Sequence, residues 1–169
     1  PSASLSARLS AGEEAYVERT QKVRVAVPRD WHPFMCPEGS AQHKGFVPEI
    51  LEKVTQYSGL RFEYVFFDSY AQALEALKQG EAEVLGFYLG DSQEASEQNL
   101  ALTAPYTTLN SILVRNKKSS YPAKGLTGAV LEGRKMPESI TVEKVVSYSD
   151  MQHALTDVNR GRVDFFYGI

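Results

Sequence analysis

A two-lobed α/β fold is predicted for this 169-residue chain by three observations. The stretch "DSYAQALEALKQGEAEV" from Asp68 and the stretch "SDMQHALTDVNRGRVDF" from Ser149 align without a gap. An offset of 81 carries Ala73 onto Ala154, Leu74 onto Leu155, Gly80 onto Gly161 and Glu83 onto Asp164. Both copies share one order of residue types: an alternating apolar run, a polar turn, a short amphipathic helix, a glycine, then a second apolar run. A strand–helix–strand unit of this kind normally makes a parallel pair of strands. The period exceeds the roughly 20–50 residues of solenoid repeats, so the pattern predicts two α/β lobes and not a stacked array.

From the start of the chain, "PSASLSARLS" is small and polar and reads as a linker. "AGEEAYVERT" offers Ala15, Tyr16 and Val17 as anchors of a lead-in helix, so residues 1–21 stand apart from the lobes. Val23, Val25 and Val27 alternate as a strand requires. "WHPFMCPEGSAQHKG" is punctuated by Pro33, Pro37, Gly39 and Gly45 and reads as a loop. Residues 48–57 are predicted as a helix, with Pro48 first, Ile50, Leu51 and Val54 on the apolar face, and Gly59 as its cap. Phe62, Tyr64 and Phe66 alternate as the next strand. Asp68 or Ser69 can accept from the first amides of the helix that Tyr70, Ala73, Leu74 and Leu77 define, and Gly80 fits its left-handed end.

Residues 84–88 return as a strand, "GDSQEASEQN" is a polar connection, and residues 111–115 form another strand. "SSYPAKG" reads as a loop, "LTGAVLEG" as a strand and "RKMPESI" as a turn. The second copy then places a helix carrying Met151, Ala154, Leu155 and Val158 between strands near 142–148 and 163–168. Lobe 1 is assigned to 22–110, with strands near 23–27, 62–67 and 84–88 and two helices. The strand near 111–115 is counted with these strands and also opens 111–169, the hinge strand and partial second lobe. Ligands of such sheets sit at the carboxyl ends of parallel strands, so a cleft between the lobes is expected there.

Composition excludes several classes. The chain is 43% hydrophobic and 23% charged, with a net charge of −3, which is ordinary for a globular protein. Acids and bases are interspersed, so a nucleic-acid footprint is not expected. No apolar run approaches the ~20 residues of a membrane-spanning helix. Cys36 is the sole cysteine and cannot close an internal disulfide.

Four segments in order, "VRVAVPRDWHPF", "GFVPEILEKVTQYSGLRFEYV", "ALEALKQGEAEVLGF" and "LALTAPYTTLNSILVR", resemble the type 2 solute-binding proteins of extracellular family 3. The likeness is good over residues 22–115 and looser over 124–169. It implies a periplasmic-binding-protein-like type II fold, a Venus flytrap of two α/β lobes that close about a hinge on a small solute. It also implies a periplasmic or cell-surface location; no cofactor, no metal and no catalysis by this chain are expected. Asp30, Trp31, His32 and Phe34 match the family's first-lobe wall, as do Phe87 and Tyr88 at the end of a later strand. Tyr106 falls in the hinge entry, and Glu132 at the expected edge of the second lobe. Aromatic faces at such a wall suit an apolar body or a cation.

Two departures bear on the ligand. Amino-acid binders of the family carry an Arg seven residues before the Ser/Thr of the hinge entry, where it grips the α-carboxylate. Here that position is Ser96. A bidentate guanidinium is hard to replace, so an ordinary α-amino acid is disfavoured unless Arg29 or Arg134 reaches in. Many members also place an Asp five residues after the last repeat's Asp, and here that position is Ile169. The chain ends on an apolar strand, so the second lobe is expected to be incomplete and to invite a homodimer or strand exchange.

Fold alone does not separate importer components from sensors. The lead-in "LSAGEEAYVERTQKVRVAV" is similar to that of sensory versions, in which a flytrap domain precedes a membrane segment and a histidine kinase or diguanylate cyclase. A sensory domain, tethered to the membrane through segments outside this chain, is therefore the expected role, with an importer's solute-binding component as the alternative. A third class, a pure interaction module, needs no ligand cleft. An enzyme on this fold needs a poised acid or base, and only Asp30, His32 and Glu132 lie near expected cleft edges. A strand-end cap, a solvated loop histidine and a loop charge account for them more simply. His32, Cys36 and His43 share a loop, but their spacing fits no familiar zinc site. His153 is expected on the polar side of its helix.

Overall fold

Ser10 starts the first helix, α1 (Ala11–Arg19), with a reciprocal cap. Its hydroxyl accepts from the Glu13 amide, and the Glu13 carboxylate accepts from the Ser10 amide at 2.7 Å. The expected anchors Ala15 and Tyr16 stay exposed, and only Val17 is half-buried. The computed structural model describes residues 8–29, 31, 34–35, 44–118 and 125–169. Its packing divides the chain into two compact units, Pro1–Tyr88 and Leu89–Ile169, whereas the sequence reading draws the line at 110/111.

In the first unit, β1 (Val23–Pro28) lies between β2 (Phe62–Phe67) and β3 (Val84–Leu85), all parallel. Val25 is opposite Tyr64 on one side and Val84 on the other. A central parallel strand is covered on both faces, and β1 is accordingly apolar and buried at every position but Arg24. Ala26 packs with Ala73 and Ala82 on one face. Val27 and Val47 crowd Gly86, where a Cβ would sit 2.6 Å from the first and 3.2 Å from the second. Val47 comes from α2 (Phe46–Ser58) and Ala73 from α3 (Tyr70–Lys78).

Helix α2 begins two residues earlier than predicted, so Pro48 is third and not first. Its missing N–H costs nothing there, because first-turn amides have no intrahelical acceptor. Gly59 ends α2 at φ +82, and Gly80 follows α3 at φ +77, as expected. Strand β3 has two residues where five are predicted. At its amino end the sheet is clamped by Arg24 and Glu83 at 2.7 Å. Hydrogen bonds from the Arg24 side chain and backbone hold the Glu83 carboxyl below its ordinary range.

The second unit repeats the arrangement. β5 (Thr127–Leu131) is central, parallel to β6 (Lys144–Tyr148) and β7 (Phe165–Gly168), with α5 (Met151–Asn159) as crossover. The offset of 81 that relates the sequences carries α3 onto α5 end for end, Tyr70 to Met151 and Lys78 to Asn159. Their caps correspond too: Ser69 accepts from the Gln72 amide and Asp150 from the His153 amide.

Two elements depart from the sequence reading. "GDSQEASEQN" contains a short helix, α4 (Ser92–Glu97), begun by Asp91, whose carboxylate accepts from the Glu94 amide at 2.8 Å. The strand counted with lobe 1 is β4 (Ile112–Arg115), and it pairs antiparallel with β7 in the second unit, giving the order β4-β7-β5-β6. Its outer edge leaves Ile112 and Leu113 50% and 40% exposed. Residues 101–111 ahead of it are exposed throughout.

Candidate functional site

The carboxyl ends of the first unit's strands carry an aromatic cluster. Trp31 follows β1, Tyr70 opens α3 just after β2, and Phe87 follows β3. The Trp31 ring lies nearly parallel to Phe87 (centroids 4.8 Å apart, 11°) and to Tyr70 (5.9 Å, 10°). Phe34 stacks on Phe87 at 4.8 Å. Such ring pairs contribute roughly 0.5–1.5 kcal/mol each beyond the area they bury. Phe34, Tyr70 and Phe87 are buried, while Trp31 keeps part of its surface in solvent. The cluster is therefore a backed platform: three buried rings fix the one that stays partly exposed.

Backbone bonds pin this platform. The Met35 amide donates to the Trp31 carbonyl at 2.9 Å, and the Val47 amide donates to the Phe34 carbonyl at 3.0 Å, tying the loop to the first turn of α2. Beside it, Arg29 pairs with Asp68 at 3.0 Å across the ends of β1 and β2. That arginine, which the sequence leaves free to reach a ligand, is thus engaged locally.

In the second unit the carboxyl end of β5 turns at Gly133 (φ +87), and the Arg134 amide closes the turn on the Leu131 carbonyl at 3.0 Å. The Arg134 guanidinium lies over the Tyr167 ring, 5.0 Å from its centroid, and its Nε donates to the Leu89 carbonyl at 3.3 Å. Its Nη1 is sealed from solvent and has no hydrogen-bond partner among the described residues.

Of the residues expected at the wall, Trp31, Phe34 and Phe87 come together at one sheet end, and Tyr88 is half-buried next in the chain. Tyr106 is 39% exposed in the extended segment before β4. Glu132 is exposed, its amide donating to the Tyr148 carbonyl. Asp30, His32, Cys36 and His43 lie outside the described residues. Ser96 is exposed on α4. His153 is exposed, 2.6 Å from the carboxylate of Asp150. Tyr70, which the sequence reading does not place at the wall, joins the ring cluster, because its spacing fits a core helix face equally well. Among the described residues no His/Cys/Asp/Glu group of three could hold a metal, and no helix is long and apolar enough to cross a membrane.

Residues 23–165 match the bacterial extracellular solute-binding proteins, family 3. The chain belongs to this family. Membership makes it an extracytoplasmic solute-binding domain and not an enzyme, with small molecules as partners. Among curated proteins it is 25% identical over 168 residues to the virulence sensor protein BvgS of Bordetella pertussis, covering 92% of this chain and 13% of that one. The periplasmic VFT2 domain of the same protein superposes with a TM-score of 0.76 at 23% identity, covering 95% of this chain and 72% of that one. The amino acid ABC transporter substrate-binding protein AbpA of Streptococcus pneumoniae, bound to L-arginine, gives 0.69 at 19% identity over 91% and 70%. These likenesses bear out the Venus-flytrap fold. The chain spans about an eighth of the curated relative's length.

Proposed function

We propose that this chain is the solute-sensing domain of a membrane-tethered bacterial signalling protein whose output is a histidine kinase or diguanylate cyclase. The observation that carries the proposal is the match, over nearly the whole chain, to a sensor protein. The capped helix α1 directly ahead of β1 supports it, since it forms over the lead-in whose sequence is similar to that of sensory versions. The second reading is an importer's binding component, supported by the likeness to AbpA. A membrane span and an output domain encoded downstream favour the first reading, and a stop codon soon after Ile169 favours the second.

Trp31 is the residue we assign to solute contact, with Phe34, Tyr70 and Phe87 behind it and Asp30, His32, Tyr88, Tyr106 and Glu132 as further candidates. A thermal-shift screen of amino acids, polyamines, dicarboxylates and small peptides tests this. A solute at a hundredfold over its dissociation constant stabilises the domain by about 2.7 kcal/mol. Trp31→Ala is expected to weaken that solute at least tenfold. A screen with no hit would favour a ligand-free or partner-reading role, and an unaltered affinity in the variant would remove Trp31 from the site.

The exposed apolar edge of β4 is also proposed as a place of self-association or strand exchange, because unpaired edges bearing Ile112 and Leu113 are pairing templates. Sedimentation velocity at high concentration is expected to show a dimer that Ile112→Lys abolishes. A clean monomer contradicts the proposal.

A further inference from the structure

Helix α1 is complete in itself and barely joined to the unit that follows it. Its polar contacts are internal: Ser10 and Glu13 cap each other, and the Arg19 guanidinium lies 5.7 Å from the Tyr16 ring centroid. Among the described residues, no hydrogen bond or ion pair ties residues 8–22 to the rest of the unit. The first backbone tie is the Val23 amide on the Arg61 carbonyl at 2.8 Å. No side chain of α1 is fully buried. Leu9, Val17 and Thr20 are half-buried, and Val17 reaches the end of α2, where a Cβ at Gly59 would stand 3.5 Å from its Cγ1. Two open grooves border that contact. One of about 530 Å³ lies against Leu9, Tyr16, Val17 and Leu60, and one of about 820 Å³ against Val17, Thr20, Arg61 and Glu63. Built-in elements leave few voids larger than a water molecule, so α1 rests on the unit and is not part of its core.

We propose that α1 is a displaceable strap: it docks on the Gly59 end of α2 through Leu9 and Val17, and swings free about residues 20–22 while the first unit stays folded. The hinge is already extended, with Thr20 at ψ 112 and Gln21 and Lys22 exposed, so backbone rotation there moves the helix and leaves the sheet alone. A nine-residue helix is marginal in water by itself, and segments with few buried contacts open first. Release therefore loosens the helix as well as moving it, a switch of the order–disorder kind. The inference goes beyond the sensory reading and holds for an importer's component too. It makes α1 the part of the first unit that yields first when a neighbour binds or pulls it. β1 runs from the hinge toward Trp31, so the sheet keeps the aromatic platform in place as the strap moves.

Hydrogen exchange on the 169-residue chain tests the strap. Amides 14–20 are expected to exchange roughly a hundredfold faster than those of β1, as locally opening segments do. Val17→Asp is expected to bring them close to the unprotected rate. The β1 amides, and the urea midpoint read from Trp31 emission, should stay as they are. Equal protection of α1 and β1, a lowered midpoint in Val17→Asp, or its failure to fold would make α1 part of the cooperative core and overturn the inference. The docked state is trapped by Val17→Cys with Gly59→Cys in a Cys36→Ser background, oxidised with glutathione disulfide. The Cβ of residue 59 lies 3.5 Å from the γ position of residue 17, within reach of an S–S bond. Backbone strain at Gly59 (φ +82) is common to both redox forms, so comparing oxidised with reduced protein isolates docking. Oxidation should slow amides 14–20 at least about tenfold. Failure of the disulfide to form, or no slowing once it has formed, would refute the docked state. None of these results bears on solute binding, which the screen decides separately.

Discussion

Gly45→Ala is expected to cost about 3 kcal/mol or more and to disorder the aromatic platform. Gly45 sits at φ +124, ψ 177, just ahead of α2, a region essentially confined to glycine that costs other residues about 1–3 kcal/mol. The added Cβ would also stand 2.4 Å from the Phe34 carbonyl oxygen and 2.7 Å from its carbon. Those atoms are backbone, so no side-chain rotation relieves the clash. The Phe34 carbonyl is committed to the Val47 amide at 3.0 Å. Moving it breaks the tie between loop and helix and pulls Phe34 off Phe87. Trp31 is the sole tryptophan, so its emission reports directly on the platform. Urea unfolding should show a lowered midpoint, and native-state emission should shift to the red. Gly12→Ala serves as control: it lies inside α1 with nothing within 4 Å of its Cβ, and alanine there should be neutral or mildly stabilising. An unchanged midpoint and emission in Gly45→Ala would disprove the argument.

Much of this fold is legible because it is local. The repeat places both strand–helix–strand units, β3 alone ending three residues early, since caps at Ser69 and Asp150 and left-handed glycines at 80 and 161 are decided by neighbours in sequence. What escapes is decided by distant partners. Ile112–Arg115 reads as a strand, but only its pairing with β7 tells which unit owns it. Helix α4 is six residues long and polar, too short to show an apolar period, and Asp91 was its only signal. The site divides the same way. Trp31, Phe34 and Phe87 are visible as aromatics at strand ends, whereas Tyr70 looks like any core residue of an amphipathic helix. Arg134 reads as one more turn charge until Tyr167 and Leu89, 33 and 45 residues away in sequence, are found against it.

Phe165→Ala should be the most damaging single change in the second unit, at about 3–5 kcal/mol, the range for deleting a fully buried phenylalanine. Phe165 is 1% exposed and sits on β7 opposite both Arg115 of β4 and Gly128 of β5. Its ring occupies the space where Gly128 lacks a side chain, since a Cβ there would lie 2.7 Å from the Phe165 Cζ. This complementarity makes a sharper prediction than the truncation alone. Gly128→Ala should cost about 1–3 kcal/mol by overpacking, with Met136 Cε, 2.6 Å away at the end of a flexible chain, able to yield. Phe165→Leu should cost less than Phe165→Ala, and the Gly128→Ala/Phe165→Leu pair should be more stable than the sum of the single changes by at least ~0.5 kcal/mol, the signature of residues in contact. Strict additivity in urea titrations would show that the ring does not fill that space. Because β7 also carries Tyr167, over which the Arg134 guanidinium lies, loosening Phe165 should disturb that contact as well as the fold.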